Sequence, residues 1–319
     1  MSPIEADAAV DYGCESFGRL RRVMLHRPGE ALRLVTEGNY RRWLFDGVPD
    51  VARFADEHDR YRDLLESLGV EVVELGDCLR DGHARIARLP NLSYLHDTAV
   101  VSRRGAFLSR MATRARRGEA DLVGEALEAL GIPLAHAFDG PDDAFEGCLL
   151  LSPETLLVAD TERHTAATIG RFLPRALEIF PEVIHVRVPQ ARRFMHPDMI
   201  YNRVDHDLAL AYLPAFLSAE LHTRDEVREI DFRRHMAERG VEIVDVSGDE
   251  QRRWATSFVP LEPGVILHYD IALLPETRRR LERRGVEFVL YHPDALLAGG
   301  GSLRCLTLRL HREADPEAC

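Results

Sequence analysis

Gly69-Val70-Glu71-Val72-Val73-Glu74-Leu75 is a β-rich run that a glycine releases from a helical segment, 51–68. The helical segment carries Phe54, Tyr61, Leu64, Leu65 and Leu68 at three- and four-residue spacing, the period of one buried helix face. Gly69 stands where a helix ends in a left-handed residue. The same arrangement returns along the chain. The later β-rich runs are Ile132-Pro133-Leu134-Ala135-His136, Val183-Ile184-His185-Val186-Arg187-Val188, Val241-Glu242-Ile243-Val244-Asp245-Val246 and Val286-Glu287-Phe288-Val289-Leu290-Tyr291. Three of these follow Gly131, Gly240 and Gly285, and helices are expected over 116–130, 164–180, 223–239 and 275–284.

Before each helix lies a second strand candidate, at residues 22–25, 98–101, 155–158, 208–212 and 264–268. Five β-rich units with one helix each predict an α/β architecture with five-fold pseudosymmetry about a central axis. A doubly wound parallel sheet is the alternative, and no G-x-G-x-x-G follows the first strand to support it. The unit spacing is too uneven for a solenoid. No linker marks a second domain, so 1–319 is expected to be one catalytic domain, with short tails at 1–11 and 312–319.

Composition narrows the function. The chain has 319 residues, 45% of them hydrophobic, and a formal net charge of −12, which argues against a nucleic-acid footprint. All 41 residues in the Lys+Arg count are arginine, so lysine Schiff-base and P-loop chemistry are excluded. No apolar stretch approaches membrane-spanning length, and Met1–Asp7 is acidic rather than signal-like. Cys14, Cys78, Cys148, Cys305 and Cys319 are scattered and contain no C-x-x-C, as expected of reduced thiols in a cytoplasmic protein.

One thiol differs from the rest. Gly299-Gly300-Gly301-Ser302-Leu303-Arg304-Cys305 places a cysteine behind three glycines, with a strand-like run from Leu306 to Leu310. Glycines let a backbone approach a ligand, and a loop-borne thiol at a strand start is a candidate nucleophile. A buried structural cysteine behind a glycine turn is the plainer reading of that segment alone. Asp97 in Asn91–Asp97, Glu146 in Phe145–Cys148, and His196 and Asp198 in Met195–Asp198 likewise precede repeat units. In a pseudosymmetric ring such positions converge on the axis. His196-Pro197-Asp198 also has the composition of a turn or of a pair of metal ligands.

Together these groups suit one chemistry. Clustered carboxylates are costly to bury unless a cation joins them, and a planar guanidinium pairs with them bidentately. A thiolate attacks the guanidinium carbon, and a histidine protonates the departing amine and then activates water. A bound cation and a protonated His196 would favour the thiolate form of Cys305.

The chain resembles the arginine deiminases of the guanidine-modifying (pentein) superfamily. The resemblance is carried by Phe17–Gly29, Asn39–Asp46, Glu57-His58-Asp59, Pro90-Asn91 with His96-Asp97, Glu146-Gly147, Glu162-Arg163, Met195–Asp198, Leu261–Val265 and the glycine–cysteine loop. It implies a five-bladed α/β propeller (pentein fold) without metal or cofactor, acting on a small guanidino substrate, L-arginine or a derivative. It makes Cys305 the nucleophile and His196 the acid/base. Asp97 and Asp198 would hold the guanidinium, Glu146 would orient it and the histidine, and Asn91, Arg116 and Arg163 would grip the α-carboxylate. A homodimer is left open.

The chain departs from the family pattern at four places. Leu149 replaces a pocket carboxylate, and Ala298 stands where an arginine is usual. Leu303 and Arg304 separate Ser302 from the cysteine, and only residues 76–89 fill the place of a helical insert. Hydrolysis of arginine to citrulline and ammonia is the expected reaction. Transfer of the amidino group to an amine is the alternative, and a binding module without chemistry is a third reading.

Overall fold

The computed structural model describes residues 11–314 apart from 82, 139 and 141. Its strands in chain order are β1 (Leu20–Leu25), β2 (Glu71–Glu74), β3 (Ala99–Ser102), β4 (Gly105–Leu108) and β5 (Leu134–Ala137). There follow β6 (Leu149–Leu150), β7 (Thr155–Asp160), β8 (Glu182–Arg187), β9 (Tyr201–Asp205), β10 (Leu208–Ala211), β11 (Ser218–His222) and β12 (Val227–Ile230). The last are β13 (Glu242–Asp245), β14 (Val259–Glu262), β15 (Val265–Tyr269), β16 (Glu287–Tyr291) and β17 (Leu308–Arg312).

These strands form five sheets, built on β17-β1-β2, β3-β4-β5, β6-β7-β8, β9-β10-β13 and β14-β15-β16. In each, the middle strand pairs antiparallel with the first and parallel with the last. Parallel pairing needs a crossover, and a helix supplies it each time: Val51–Ser67, Glu119–Ala129, Ala166–Ile179, Phe232–Glu238 and Pro275–Glu282. The repeat read along the chain is therefore one ββαβ blade, found five times, and nothing in it conflicts with the expected propeller. The first blade is closed by the last strand, because β17 pairs with β1.

Local chemistry sets these elements. Asp50 caps the first crossover helix by accepting from Ala52 N and Arg53 N, both at 3.1 Å. The helix stops at Gly69, whose φ of +78° only glycine adopts without strain. Its Phe54, Tyr61 and Leu65 are fully buried, each removing apolar surface worth roughly 1.5–3 kcal/mol from water. The middle strands β4, β7 and β10 are buried almost throughout, as expected of strands flanked on both sides.

Two expectations are corrected. The helix read over 223–239 is only Phe232–Glu238, because Ser218–His222 and Val227–Ile230 form a hairpin that widens the third sheet to five strands. Alternation in Ser218–His222 and the β-forming Val227 outweigh the helical spacing there. Cys305 is also not at a strand start. It lies in a short helix, Leu303–Leu306, capped by Ser302, and β17 begins at Leu308. Of the expected tails, 1–10 and 315–319 lie outside the described residues, as does Cys319, and Arg312 belongs to β17. Among the described residues no helix is long and apolar enough to cross a membrane.

Candidate active site

Each blade begins at a turn, and the five turns bring polar side chains together. Asp97 lies in the 3-10 turn Leu95–Thr98 ahead of β3. Glu146 precedes β6, His196 and Asp198 precede β9, and Cys305 precedes β17. The fifth turn, ahead of β14, contributes Ser257, which reading the sequence did not single out. Its position in the repeat was the available signal.

One cavity is lined by Asn91, Asp97, Arg116, Arg163, His196 and Cys305, together with Leu44, Tyr94, Arg192, Met195 and Gly299–Gly301. Six of the eight predicted site residues thus share a surface. Glu146 stands behind it, bonded to His196 of the lining, and Asp198 is bonded to Ser257, outside the lining.

His196 is the centre of the ionic network. Its Nε2 lies 2.8 Å from Glu146 Oε2, and its Nδ1 lies 3.1 Å from Asp97 Oδ1. The second pair is an ion pair without hydrogen-bond alignment, since Asp97 Oδ1 has no hydrogen-bond partner. Burial alone would depress the imidazole, but Asp97 and Glu146 outweigh it and raise its pKa. Burial likewise works to raise Glu146, yet His196 and Arg163 bring it down to about 2. Its other oxygen accepts from Ala112 N at 2.7 Å. Glu146 is therefore a fixed anion that orients the histidine.

Arg116 is fully buried and heavily engaged. Its Nη1 donates to Asp97 Oδ2 at 2.9 Å, its Nε to Glu119 Oε2 at 2.8 Å, and its Nη2 to the Tyr94 carbonyl at 2.6 Å. These contacts aim Asp97. Arg163 is freer, with Nη1 at 3.5 Å from Glu146 Oε2 and Nη2 on Met195 Sδ. Asn91 donates to the Trp43 carbonyl at 2.8 Å and so ties down the segment that carries Leu44.

Cys305 sits at one end of a hydroxyl chain. Its Sγ is 3.4 Å from Ser302 Oγ, which is 2.7 Å from Ser257 Oγ. Ser257 in turn donates a short hydrogen bond to Asp198 Oδ2. Asp198 Oδ1 is buried without a partner. Burial, Asp198 and Asp97 push the thiol up to about 12. In the free site, burial and these anionic walls favour the protonated form of Cys305.

The glycines are spatial necessities. A Cβ on Gly299 would overlap the Tyr94 hydroxyl, and Gly300 has a φ of +73° with Asp46 against it. The helix Val51–Ser67 braces this loop from behind. Glu57 accepts from Asp294 N and Leu296 N at 2.9 and 3.1 Å, and Tyr61 Oη reaches the Leu303 carbonyl at 3.4 Å. Across the mouth, Leu44 is held at a φ of +65°, and Arg192 donates to its carbonyl at 2.6 Å while lying 3.1 Å from Asp46. Arg192 was not anticipated from the sequence.

His96, Asp97 and Asp198 offer ligand atoms within 4.8 Å of one another. The group already faces a cation, because Arg304 Nε lies 3.3 Å from His96 Nε2 and 3.7 Å from Asp198 Oδ2.

With this geometry in place, comparison with known proteins is informative. A family model described as arginine deiminase matches residues 80–312. The chain belongs to the arginine deiminase family. It is 28% identical to the arginine deiminase of Rhodococcus jostii (strain RHA1) over 413 aligned residues, covering 97% of this chain and 100% of the relative. It is 26% identical to that of Mycoplasma capricolum, covering 93% and 96%. Among solved structures, AgrE in complex with L-arginine superposes with a TM-score of 0.67 at 17% identity, over 94% of this chain but only 41% of AgrE. The N-terminal domain of ArgZ, a cyanobacterial arginine dihydrolase, gives 0.65 at 16% identity over 90% and 96%. A dimethylarginine dimethylaminohydrolase gives 0.64 at 14% identity over 91% and 99%. These likenesses establish a fold shared with guanidine-modifying enzymes.

Proposed function

We propose that the protein hydrolyses the guanidinium of L-arginine, or of a modified arginine, to a ureido group with release of ammonia. We read the chain as one catalytic unit. The observation that carries this reading is the convergence, from four separate blades, of a thiol, a histidine held between two carboxylates and a third buried carboxylate at or behind one cavity. Such a cluster suits a planar cation, and Asp97 and Asp198 each keep an oxygen without a hydrogen-bond partner to receive one.

The free site holds a neutral thiol because its carboxylates oppose a second negative charge. An incoming guanidinium neutralises Asp97 and Asp198, the two anions that raise Cys305, and so lowers the thiol pKa when substrate is present. The thiol proton passes to Ser302 as Ser302 hands its own to Ser257 and Ser257 its own to Asp198, which leaves the Ser302 hydroxyl donating to the sulfur. Sγ adds to the guanidinium carbon. The C–N bond breaks as His196 gives its proton to the departing nitrogen, which leaves as ammonia. A thiouronium adduct remains on Cys305. Neutral His196, still held by Glu146, takes a proton from water, and the resulting hydroxide adds to the same carbon. Collapse of that adduct breaks the C–S bond as its hydroxyl proton passes to the departing sulfur, which restores the thiol and releases the ureido product; the proton left on Asp198 is lost to solvent.

Arg163 supports recognition of the α-carboxylate, with Arg192 at the mouth in place of the arginine that Ala298 lacks. Arg116 acts through Asp97. Asn91 holds the Trp43–Leu44 segment over the site. Transfer of the amidino group to an amine gains no support from membership of the deiminase family. Incubation with free arginine, measuring citrulline, ornithine and ammonia, tests the reading. Citrulline and ammonia in equal amounts are expected, and ornithine without citrulline overturns it.

A further inference from the structure

A second cavity lies beside the catalytic one, lined by Cys14, Tyr201, Asn202, Arg304, Arg309 and Arg312. Arg304 connects the two. It lines this cavity, its Nε is 3.7 Å from Asp198 Oδ2, and its neighbour in sequence is Cys305.

The cavity has a surplus of buried positive charge. Arg304 and Arg312 are each only 2% exposed, and Arg203 and Arg309 complete the lining. Arg304 has Asp198 at that longer distance, while Arg203, Arg309 and Arg312 have no carboxylate within 4.0 Å among the described residues. Neutral acceptors hold most of the guanidiniums. Arg312 Nη1 donates to the Gly18 carbonyl at 2.8 Å, and Arg304 Nη1 to Asn202 Oδ1 and the Phe258 carbonyl, both at 3.2 Å. Arg203 Nη1 donates to the Leu151 carbonyl at 3.1 Å. Glu15 also lines the cavity, so one carboxylate faces four guanidiniums. Burial, followed by mutual repulsion, depresses Arg304 and Arg312, the latter to about 9.

Two donors are left over. The Arg309 guanidinium makes no hydrogen bond to a described residue, and its Nε is buried without a partner. Tyr201 Oη is also unpartnered, on a side chain with no exposure. Unpaired buried charge and unsatisfied buried donors are costly, and both deficits meet at one cavity. Its accessible space is about 20 Å³. A water-sized species needs roughly 10–15 Å³ on that measure, so the cavity as it stands has room for one small ion.

We propose that this cavity binds one small monovalent inorganic anion of chloride size, held by Arg309 and Tyr201 in the field of Arg304 and Arg312. The anion offsets the arginine surplus and steadies the turn that delivers Cys305.

Thermal unfolding of the full chain tests the proposal. Sodium chloride or bromide is titrated against sodium gluconate at matched ionic strength. The midpoint is expected to rise saturably by roughly 2–4 °C with the halides and not with gluconate. Arg309→Gln should abolish the difference. Superimposable halide and gluconate titrations, or an Arg309→Gln protein that responds like the wild type, overturn the proposal. If the variant does not fold, bromide-soaked wild-type crystals decide. An anomalous peak beside Arg309 Nε and Tyr201 Oη supports the site, and its absence there refutes it. Neither readout depends on turnover, so failure here is distinguishable from failure of the deiminase reading.

Discussion

His196 Nε2 stands 2.8 Å from Glu146 Oε2, a carboxylate that the same contact helps to hold at a pKa of about 2. A permanently charged partner on one side of the imidazole leaves the other side to respond to Asp97 and to whatever Asp97 binds. Proton affinity of His196 is therefore set by two carboxylates of different character, one a constant anion and one with an oxygen free of hydrogen bonds.

Replacing Asp97 by Asn removes the largest charge that raises His196. His196 should then lose its proton at lower pH, so the basic limb of the kcat profile moves down. The sign for stability is the same. A histidine raised in the folded state stabilises below its ordinary pKa, and that contribution fades as pH rises through the raised value. Asp97→Asn should narrow this window, and kcat/KM should fall by about two orders of magnitude or more with the loss of a charged guanidinium partner. An unmoved basic limb in a pH-rate series would remove Asp97 from this role.

Cys305→Ala should abolish turnover while leaving the fold intact, because the side chain is small and its loss opens little space. Acid-quenched wild type incubated with substrate should carry an added mass on the peptide containing Cys305. Cys148 is buried, and burial raises its thiol pKa far above the usual range, so it is a poor competitor. Finding the adduct there would overturn the assignment.

Ser257→Ala should break the hydroxyl chain between Asp198 and the thiol. A loss of roughly 10- to 100-fold in kcat is expected, corresponding to about 1.5–3 kcal/mol for a hydrogen bond to a charged group. KM should change little. Alkylation of the free enzyme across pH separates this role from a merely structural one. The thiol should titrate differently from wild type while the unfolding midpoint stays within a few degrees.

Two of the three arginines that line the site, Arg116 and Arg192, should behave differently. Arg116→Gln leaves Glu119 buried and unpaired and Asp97 paired with His196 alone, and a loss of about 3–5 kcal/mol of stability is expected from thermal or urea unfolding. Arg192→Ala should leave stability near wild type and raise KM for arginine about tenfold or more, with little change for agmatine, which lacks the carboxylate. Equal effects of Arg192→Ala on both substrates would show that it does not meet that group.

Much of this was legible in the residues. The crossover helices, four of them ended by a glycine, and the runs that follow them mark the five units, because both a C′ glycine and an alternating strand are local signals. Convergence of Asp97, Glu146, His196, Asp198 and Cys305 follows from their common place ahead of a strand. What escaped reading depends on non-local packing. Ser257 has no motif of its own and gains meaning only beside Ser302 and Asp198. Arg192 matters because the Leu44 carbonyl and Asp46, about 150 residues away in sequence, lie against it. The hairpin β11–β12 was hidden because short strands and an amphipathic helix share residue types. The protonated state of Cys305 required knowing how completely its surroundings exclude water.

The pairing of β17 with β1 has a consequence for synthesis. A ribosome releases the strand next to the reactive thiol only after the other four blades have emerged. The nascent chain can assemble carboxylates and histidine early, yet it cannot carry a competent thiol until the first and last strands meet. That ring closure joins residues almost 290 positions apart, a late and slow contact to form. Enzyme activity should therefore appear as the final event of folding, with the acidic pocket already shaped before its nucleophile arrives.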